Sequence, residues 1–260
     1  MDKSMASQPP KSPEIVKSAK RVLEILELFD EVQESLTLSE IAKRLGYPAP
    51  STLGLLKSLQ ALDYMLFDPK TKTYCPSVRV AMLGGWIQGK MFLDGAILAL
   101  MTELAEKTGE TVMLGMQNDI HAQYVHTVQS AKALRYFLKP GTLRPLFRTA
   151  TGLMLVAHQP DEYIKRLVIR VNERDSEQKS DLSIDEAMAR INQVRRQGYA
   201  YNDGYTDKIS ALSILLPHSK DNRAMTIGIG GPTHRVKPQL QENIDLINEL
   251  IDKYISHSSI

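Results

Sequence analysis

The chain is short of several things that would have pointed elsewhere. It holds a single cysteine, Cys75, which rules out an intramolecular disulfide framework and fits a reducing compartment. No apolar run approaches the roughly 20 residues that cross a bilayer. The opening MDKSMASQPPKS lacks the apolar centre of a secretion signal, and residues 1–13 read as a loose tail. These absences predict a cytoplasmic protein with no membrane partner. Charge of either sign is scarce in net terms: 32 basic against 30 acidic residues leave +2, so any affinity for a polyanion must come from local geometry. Gly-x-Gly-x-x-Gly, Walker-type and His-Glu-x-x-His patterns are missing. The six histidines (His121, His126, His158, His218, His234 and His257) are scattered, so neither a metal site nor a cofactor is expected. His121 and His126 stand five apart on an alternating strand, hence on opposite faces.

What remains is an ordinary globular composition, 43% hydrophobic over 260 residues, enough for one or two cored domains. Val22, Ile25, Leu26 and Phe29 follow the spacing of one helix face behind the basic start Lys17, Lys20 and Arg21. Thr37-Leu38-Ser39-Glu40 has the form of a capping box, and Gly46 is a suitable stop for the helix it opens. Pro50 suits the first turn of a further helix whose inward face is Thr52, Leu55, Leu56, Leu59 and Leu62. Strand-like runs Tyr64–Phe67 and Thr73–Cys75 flank the turn Asp68-Pro69-Lys70-Thr71-Lys72. Helix, short helix, tight turn, helix and hairpin make a winged helix-turn-helix over residues 14–78.

Residues 79–92 form a connecting helix weakened by Gly84, Gly85 and Gly89, a candidate hinge or dimer contact. Residues 93–260 alternate between the two periods. Helices are expected near 94–108, 149–158, 161–171, 184–197 and 238–255, and strands at 111–117, 121–128, 134–138, 199–202, 211–216 and 224–230. Hairpin-joined strands with helices at their edges predict an α+β domain on an antiparallel sheet.

The second helix of a helix-turn-helix enters the major groove. Projected at 100° per residue, its outward face carries Pro50, Leu53, Gly54 and Lys57, with Ser51 and Ser58 flanking. No arginine stands there for bidentate guanine recognition, so direct readout is modest: methyl contacts from Leu53, close backbone approach at Gly54, and phosphate contacts from Ser51, Ser58 and Lys57. Lys70 and Lys72 on the wing and Lys17, Lys20 and Arg21 on the first helix are candidates for neighbouring phosphates. Against this stands a balance of +1 over residues 1–80 (11 basic, 10 acidic), and winged helices also serve as protein-binding modules.

Ser18–Leu26, Leu38-Ser39-Glu40-Ile41-Ala42, the wing leading to Tyr74, Gly141–Gly152, Gly198-Tyr199-Ala200 and Gly230-Gly231-Pro232 together resemble an IclR-type transcriptional regulator over nearly the whole chain. The resemblance implies a winged helix joined by a linker helix to a ligand-sensing domain of GAF-like topology. It also implies a homodimer or dimer of dimers that binds operator DNA and represses or activates catabolic genes for small organic acids. Transferred by position, its effector pocket involves Ala150 and Thr151 at a helix start, Asp203 and Ser213 opposite, and Gly228 and Gly230 on the last strand. Phe147 stands where the family usually has histidine, and Gly54 where relatives often carry arginine. Gly228 and Gly230 stand where relatives that sense very small oxoacids have serines, which either leaves extra room for a bulkier, less polar effector, an aromatic or longer carboxylate with Phe137 in contact, or merely admits close packing of the sheet. A small-molecule module whose winged helix binds protein, and a hydrolase using Asp203 and Ser213, are the competing readings.

Overall fold

The computed structural model describes residues 15–91, 95–174, 182–217 and 224–255. The expected tail, the Asp94 start of the first C-terminal helix, His218 and His257 lie outside the described residues. The chain divides into two compact units, Met1–Met91 and Phe92–Ile260.

In the first unit α1 (Lys17–Val32), α2 (Leu38–Leu45) and α3 (Ala49–Ala61) enclose Ile25, Phe29, Ile41, Leu56, Leu59 and Met65. The capping box forms as the sequence dictates: Glu40 N–H donates to Thr37 Oγ1 at 3.4 Å and Thr37 N–H donates to Glu40 Oε2 at 2.8 Å. Gly46 ends α2 with φ 70°, and Tyr47 N–H reaches back to the Ala42 carbonyl at 2.9 Å, fixing the turn into α3. Strands β1 (Leu36–Thr37), β2 (Met65–Asp68) and β3 (Thr73–Pro76) pair antiparallel in the order β1-β3-β2. One expectation fails at the end of α3. Leu62 is 59% exposed rather than buried, because the helix stops at Ala61 and the backbone turns away through Asp63 at φ 61°. The connecting segment is a continuous helix, α4 (Val78–Met91).

The second unit is a six-stranded antiparallel sheet in the order β6-β5-β4-β9-β8-β7. Its strands are β4 (Thr111–Asn118), β5 (His121–Val128), β6 (Leu143–Pro145), β7 (Ala200–Thr206), β8 (Ile209–Leu215) and β9 (Met225–Pro232). Its helices are α5 (Ala96–Thr108), α6 (Ala150–Ala157), α7 (Asp161–Arg174), α8 (Ile184–Gln197), α9 (Thr233–Val236) and α10 (Leu240–Tyr254). All eight residues of α6 are buried, so this apolar helix lies wholly between the sheet and the amphipathic α7 and α8. The expected strand 134–138 does not form. Side chains replace its ladder: Thr111 Oγ1 donates to the Tyr136 carbonyl at 2.6 Å, and Thr127 Oγ1 (3.1 Å) and Gln129 Nε2 donate to that of Leu138.

Candidate functional site

Two regions carry the residues singled out above, one in each unit. In the first, α3 turns Thr52, Leu56 and Leu59 into the core and leaves Pro50, Ser51, Gly54, Lys57 and Ser58 exposed, with Leu53 half-buried. A Cβ at Gly54 would meet nothing within 4 Å, so the helix surface is bare there. Both serine hydroxyls are engaged by their own helix: Ser51 Oγ donates to the Pro48 carbonyl and Ser58 Oγ to that of Gly54, each at 2.9 Å. A phosphate would have to win those protons. Asp68 orders the wing tip by accepting from Lys70 N–H at 2.8 Å and Thr71 Oγ1 at 2.9 Å, which hold its carboxyl below the usual range. Lys70 and Lys72 are exposed on that tip.

The α1 cations are less free. Lys20 pairs with Glu24 at 3.6 Å, Arg21 lies 4.7 Å from the Tyr47 ring centroid, and the Tyr47 hydroxyl donates to Glu24. Lys17 is exposed. Sequence reasoning passed over Lys43 and Arg44, exposed cations in the last turn of α2, where positive charge suits the helix end.

In the second unit Tyr124, Tyr136, Thr149, Ala150, Asn202, Tyr205 and Ala211 surround a cleft on the α6 side of the sheet. Thr149 caps α6: its Oγ1 accepts from Gly152 N–H at 3.1 Å and donates to the Pro145 carbonyl at 3.0 Å. The helix start thus faces the cleft with backbone N–H groups that have no carbonyl one turn earlier. Ala150 lines the cleft, and Thr151, 2% exposed, lies behind this lining, hydrogen-bonded to the Tyr124 hydroxyl. Burial pushes Tyr124 up to about 12, so its hydroxyl is a neutral donor across the physiological range.

Gly228 and Gly230 do not leave extra room. A Cβ on Gly230 would stand 2.7 Å from Tyr136 Cδ1, and one on Gly228 would run into the Leu212 carbonyl of the neighbouring strand. The space that serine hydroxyls would have held is taken by a tyrosine ring and by backbone, and the cleft keeps a free volume of about 20 Å³, about one water.

The remaining candidates lie around or away from it. Ser213 pairs in register with Gly228, is 1% exposed, and its Oγ has no hydrogen-bond partner among the described residues. Asp203 is not brought to Ser213. It accepts from Lys237 Nζ at 3.1 Å and from the Tyr201 hydroxyl, which also meets Ser210, three residues from Ser213 and so on the other face of β8. Lys237 holds the Asp203 carboxyl below its usual range. Phe137 is 59% exposed, and its neighbour Tyr136 fills the cleft instead. Asn202 likewise stands where Asp203 was expected, its Oδ1 accepting from Gly204 N–H at 3.1 Å and Tyr205 N–H at 3.0 Å. Phe147 is buried in the core around α6.

Two arginines were missed altogether. The guanidiniums of Arg144 and Arg148 lie 5.8 and 5.6 Å from the centroid of one ring, that of Tyr205. Burial disfavours charge on Arg144, but a hydrogen bond with Tyr136 and the surrounding tyrosine oxygens outweigh it and keep the group cationic. Arg144 sits opposite the buried Ala122 in the β5–β6 pairing and so shares its inward face, a register that the sequence alone does not give. Among the described residues no group of histidine, cysteine and carboxylate side chains could hold a metal, and no helix is long and apolar enough to cross a membrane.

Comparison with known proteins agrees with this anatomy. The family described as bacterial transcriptional regulator IclR C-terminal matches residues 91–253, and the IclR helix-turn-helix domain matches residues 18–69. The HTH-type transcriptional regulator XynR of Escherichia coli is 26% identical over 186 residues, 72% of this chain and 74% of that one. The effector domain of the putative transcriptional regulator IclR from Acinetobacter sp. ADP1 is 30% identical with a TM-score of 0.58, covering 64% of this chain and 97% of that one. An IclR homolog from Microbacterium hydrocarbonoxydans, solved with 4-hydroxybenzoate, shares the fold at 15% identity with a TM-score of 0.71, over 90% of this chain and 96% of that one.

Proposed function

Because the chain belongs to the IclR family of bacterial transcriptional regulators, we propose that α3 reads an operator in duplex DNA and that a small organic acid entering the tyrosine-walled cleft changes this affinity. The observation that carries the reading is the pairing of a bare, outward α3 surface with a cleft bounded by a helix start and by two tyrosines, Tyr136 and Tyr205, that a half-buried cation, Arg144, approaches. In this reading Pro50, Leu53 and Gly54 lie against base edges, with methyl contact and close backbone approach in place of guanidinium readout. Lys57, Lys70, Lys72 and Lys17 hold phosphates, and Lys20 and Arg21 join them at the expense of their contacts with Glu24 and Tyr47.

An aromatic carboxylate suits the cleft because its walls are rings and its helix start offers N–H donors to an anion. The neighbour solved with 4-hydroxybenzoate supports this class. With room for only about one water (20 Å³), such a ligand must displace Tyr136 or Tyr205, so binding is coupled to movement of the segments that carry them. The regulator acts as a homodimer or dimer of dimers in the cytoplasm, and α4, with Gly84, Gly85 and Gly89, is the covalent route by which the change reaches the DNA.

Selection from randomised duplexes with the full chain tests the reading. A recovered duplex should lose affinity steeply as salt rises, and Lys57→Ala should reduce the slope of log K against log salt by about one for each α3 engaged. If no duplex is enriched and the winged unit captures a protein instead, the DNA reading fails.

A further inference from the structure

Among the described residues of the second unit four arginines are ion-paired: Arg170 and Arg174 with Asp119, Arg195 with Asp161 and Arg235 with Glu110. Among those without an ion pair in the described residues, Arg144 and Arg148 are set apart by approaching one and the same ring, that of Tyr205. Two like charges brought to one ring, one of them half-buried, make the space beside that ring favourable for an anion.

Their positions differ in a useful way. Arg144 meets Tyr136, a wall of the inner cleft, and its Nε is buried without a hydrogen-bond partner among the described residues. Arg148 lines a second, larger cavity of about 630 Å³ together with Arg190, Tyr199, Tyr201 and Lys237. Tyr205 and Asn202 border both spaces, so the Tyr205 ring is the partition between a tight inner cleft and a wide cationic vestibule. Lys237 in that vestibule is already neutralised by Asp203, and Arg190 donates to the Phe147 carbonyl at 3.3 Å, which leaves Arg148 as the vestibule cation next to the partition that lacks a partner among the described residues.

We propose that Arg144 and Arg148 are specificity-determining residues that select an aromatic acid carrying two anionic groups: one carboxylate held inside by Arg144, the second held at the mouth by Arg148, with the ring between them taking the place of Tyr205. This rests on the reading of the cleft as the effector site. A bidentate guanidinium–carboxylate pair gives geometry as well as attraction, so the two ends are read separately and the ring sets their spacing.

Calorimetry of the full chain with benzene-1,4-dicarboxylate, benzoate and succinate tests it. The aromatic dianion should bind at least tenfold more tightly than benzoate and more tightly than succinate. Arg148→Gln should bring the dianion down to the level of benzoate while leaving benzoate itself unchanged. Arg144→Gln should weaken both aromatic acids, and Arg144→Lys, which keeps the charge, should restore part of the loss. Benzoate binding as tightly as the dianion, indifference to Arg148→Gln, or failure of all three acids to bind would each overturn the proposal. DNA binding of the same preparations without acid separates the two levels: a chain that binds its selected duplex but shows no dianion preference refutes this inference alone.

Discussion

The outward side of α3 and the cleft over β9 treat their glycines in opposite ways. Around Gly54 there is open space, whereas the space above Gly230 is closed by Tyr136. The first surface is finished before its partner arrives and has only to be approached by something large and grooved. The second is filled by the protein's own rings and, if it is the effector site proposed above, must be opened by what it binds. Under the proposed function, each partner's identity is written differently: in missing bulk on α3, and beside the cleft in positive charge without an ion-pair partner among the described residues. A rigid face sets affinity directly, while a self-filled cleft subtracts the free energy of opening from the ligand's own contacts.

Substitutions can break or sharpen that contrast. The largest effect is expected at Gly152, the buried position in α6 where a Cβ would run into the Leu146 carbonyl. Gly152→Ala should destabilise the second unit by about 3 kcal/mol, read as a lower urea midpoint, because backbone rather than a flexible side chain is in the way. A midpoint unchanged would mean that α6 can slide on the sheet and that the cleft is softer than described.

Tyr136→Ala comes next. If the ring is a plug, removing it should tighten binding of a ring-bearing acid by about tenfold, since the opening step is relieved. If binding weakens instead, Tyr136 is a wall that the ligand needs. At Gly54 the effect is smaller and of opposite sign to that at Gly152. Gly54→Ala should stabilise the first unit by about 1 kcal/mol through helix propensity, seen as a raised thermal midpoint.

The smallest is a pH effect outside both sites. Lys253 foremost, with the Tyr254 hydroxyl and Lys107, holds Glu103 at about 2 instead of the ordinary 4.5. This depressed carboxyl contributes stability that is fully present above about 4.5 and is lost as pH falls through about 2. The gap in thermal midpoint between the native chain and Glu103→Gln should therefore exist at neutral pH and close on acidification over that range.

Much of this anatomy was legible in the residues. Thr37 with Glu40, Gly46, and the i, i+3, i+4 pattern of Thr52, Leu56 and Leu59 specify the helix-turn-helix locally, through caps and periodicity that need no distant partner. Of the cleft only Ala150 was named directly, and two of its walls were missed by one residue. Phe137 was expected where Tyr136 lies, and Asp203 where Asn202 lies. Both slips fall where a strand loses its regular period, at the side-chain-bonded segment before β6 and at the irregularity between Asn202 and Thr206 in β7. A one-residue shift there swaps the faces. Arg144 was hidden for another reason: a cation on an inward strand face makes sense only once Tyr136 and Tyr205 are seen to converge on it.

The most direct measurement is the affinity of the full chain for its selected duplex, titrated over a range of salt with and without saturating benzene-1,4-dicarboxylate. Steep salt dependence is expected in both series, with a displacement between them that disappears in Arg144→Gln. Coincident curves for the native chain, or an affinity indifferent to salt, would contradict that expectation.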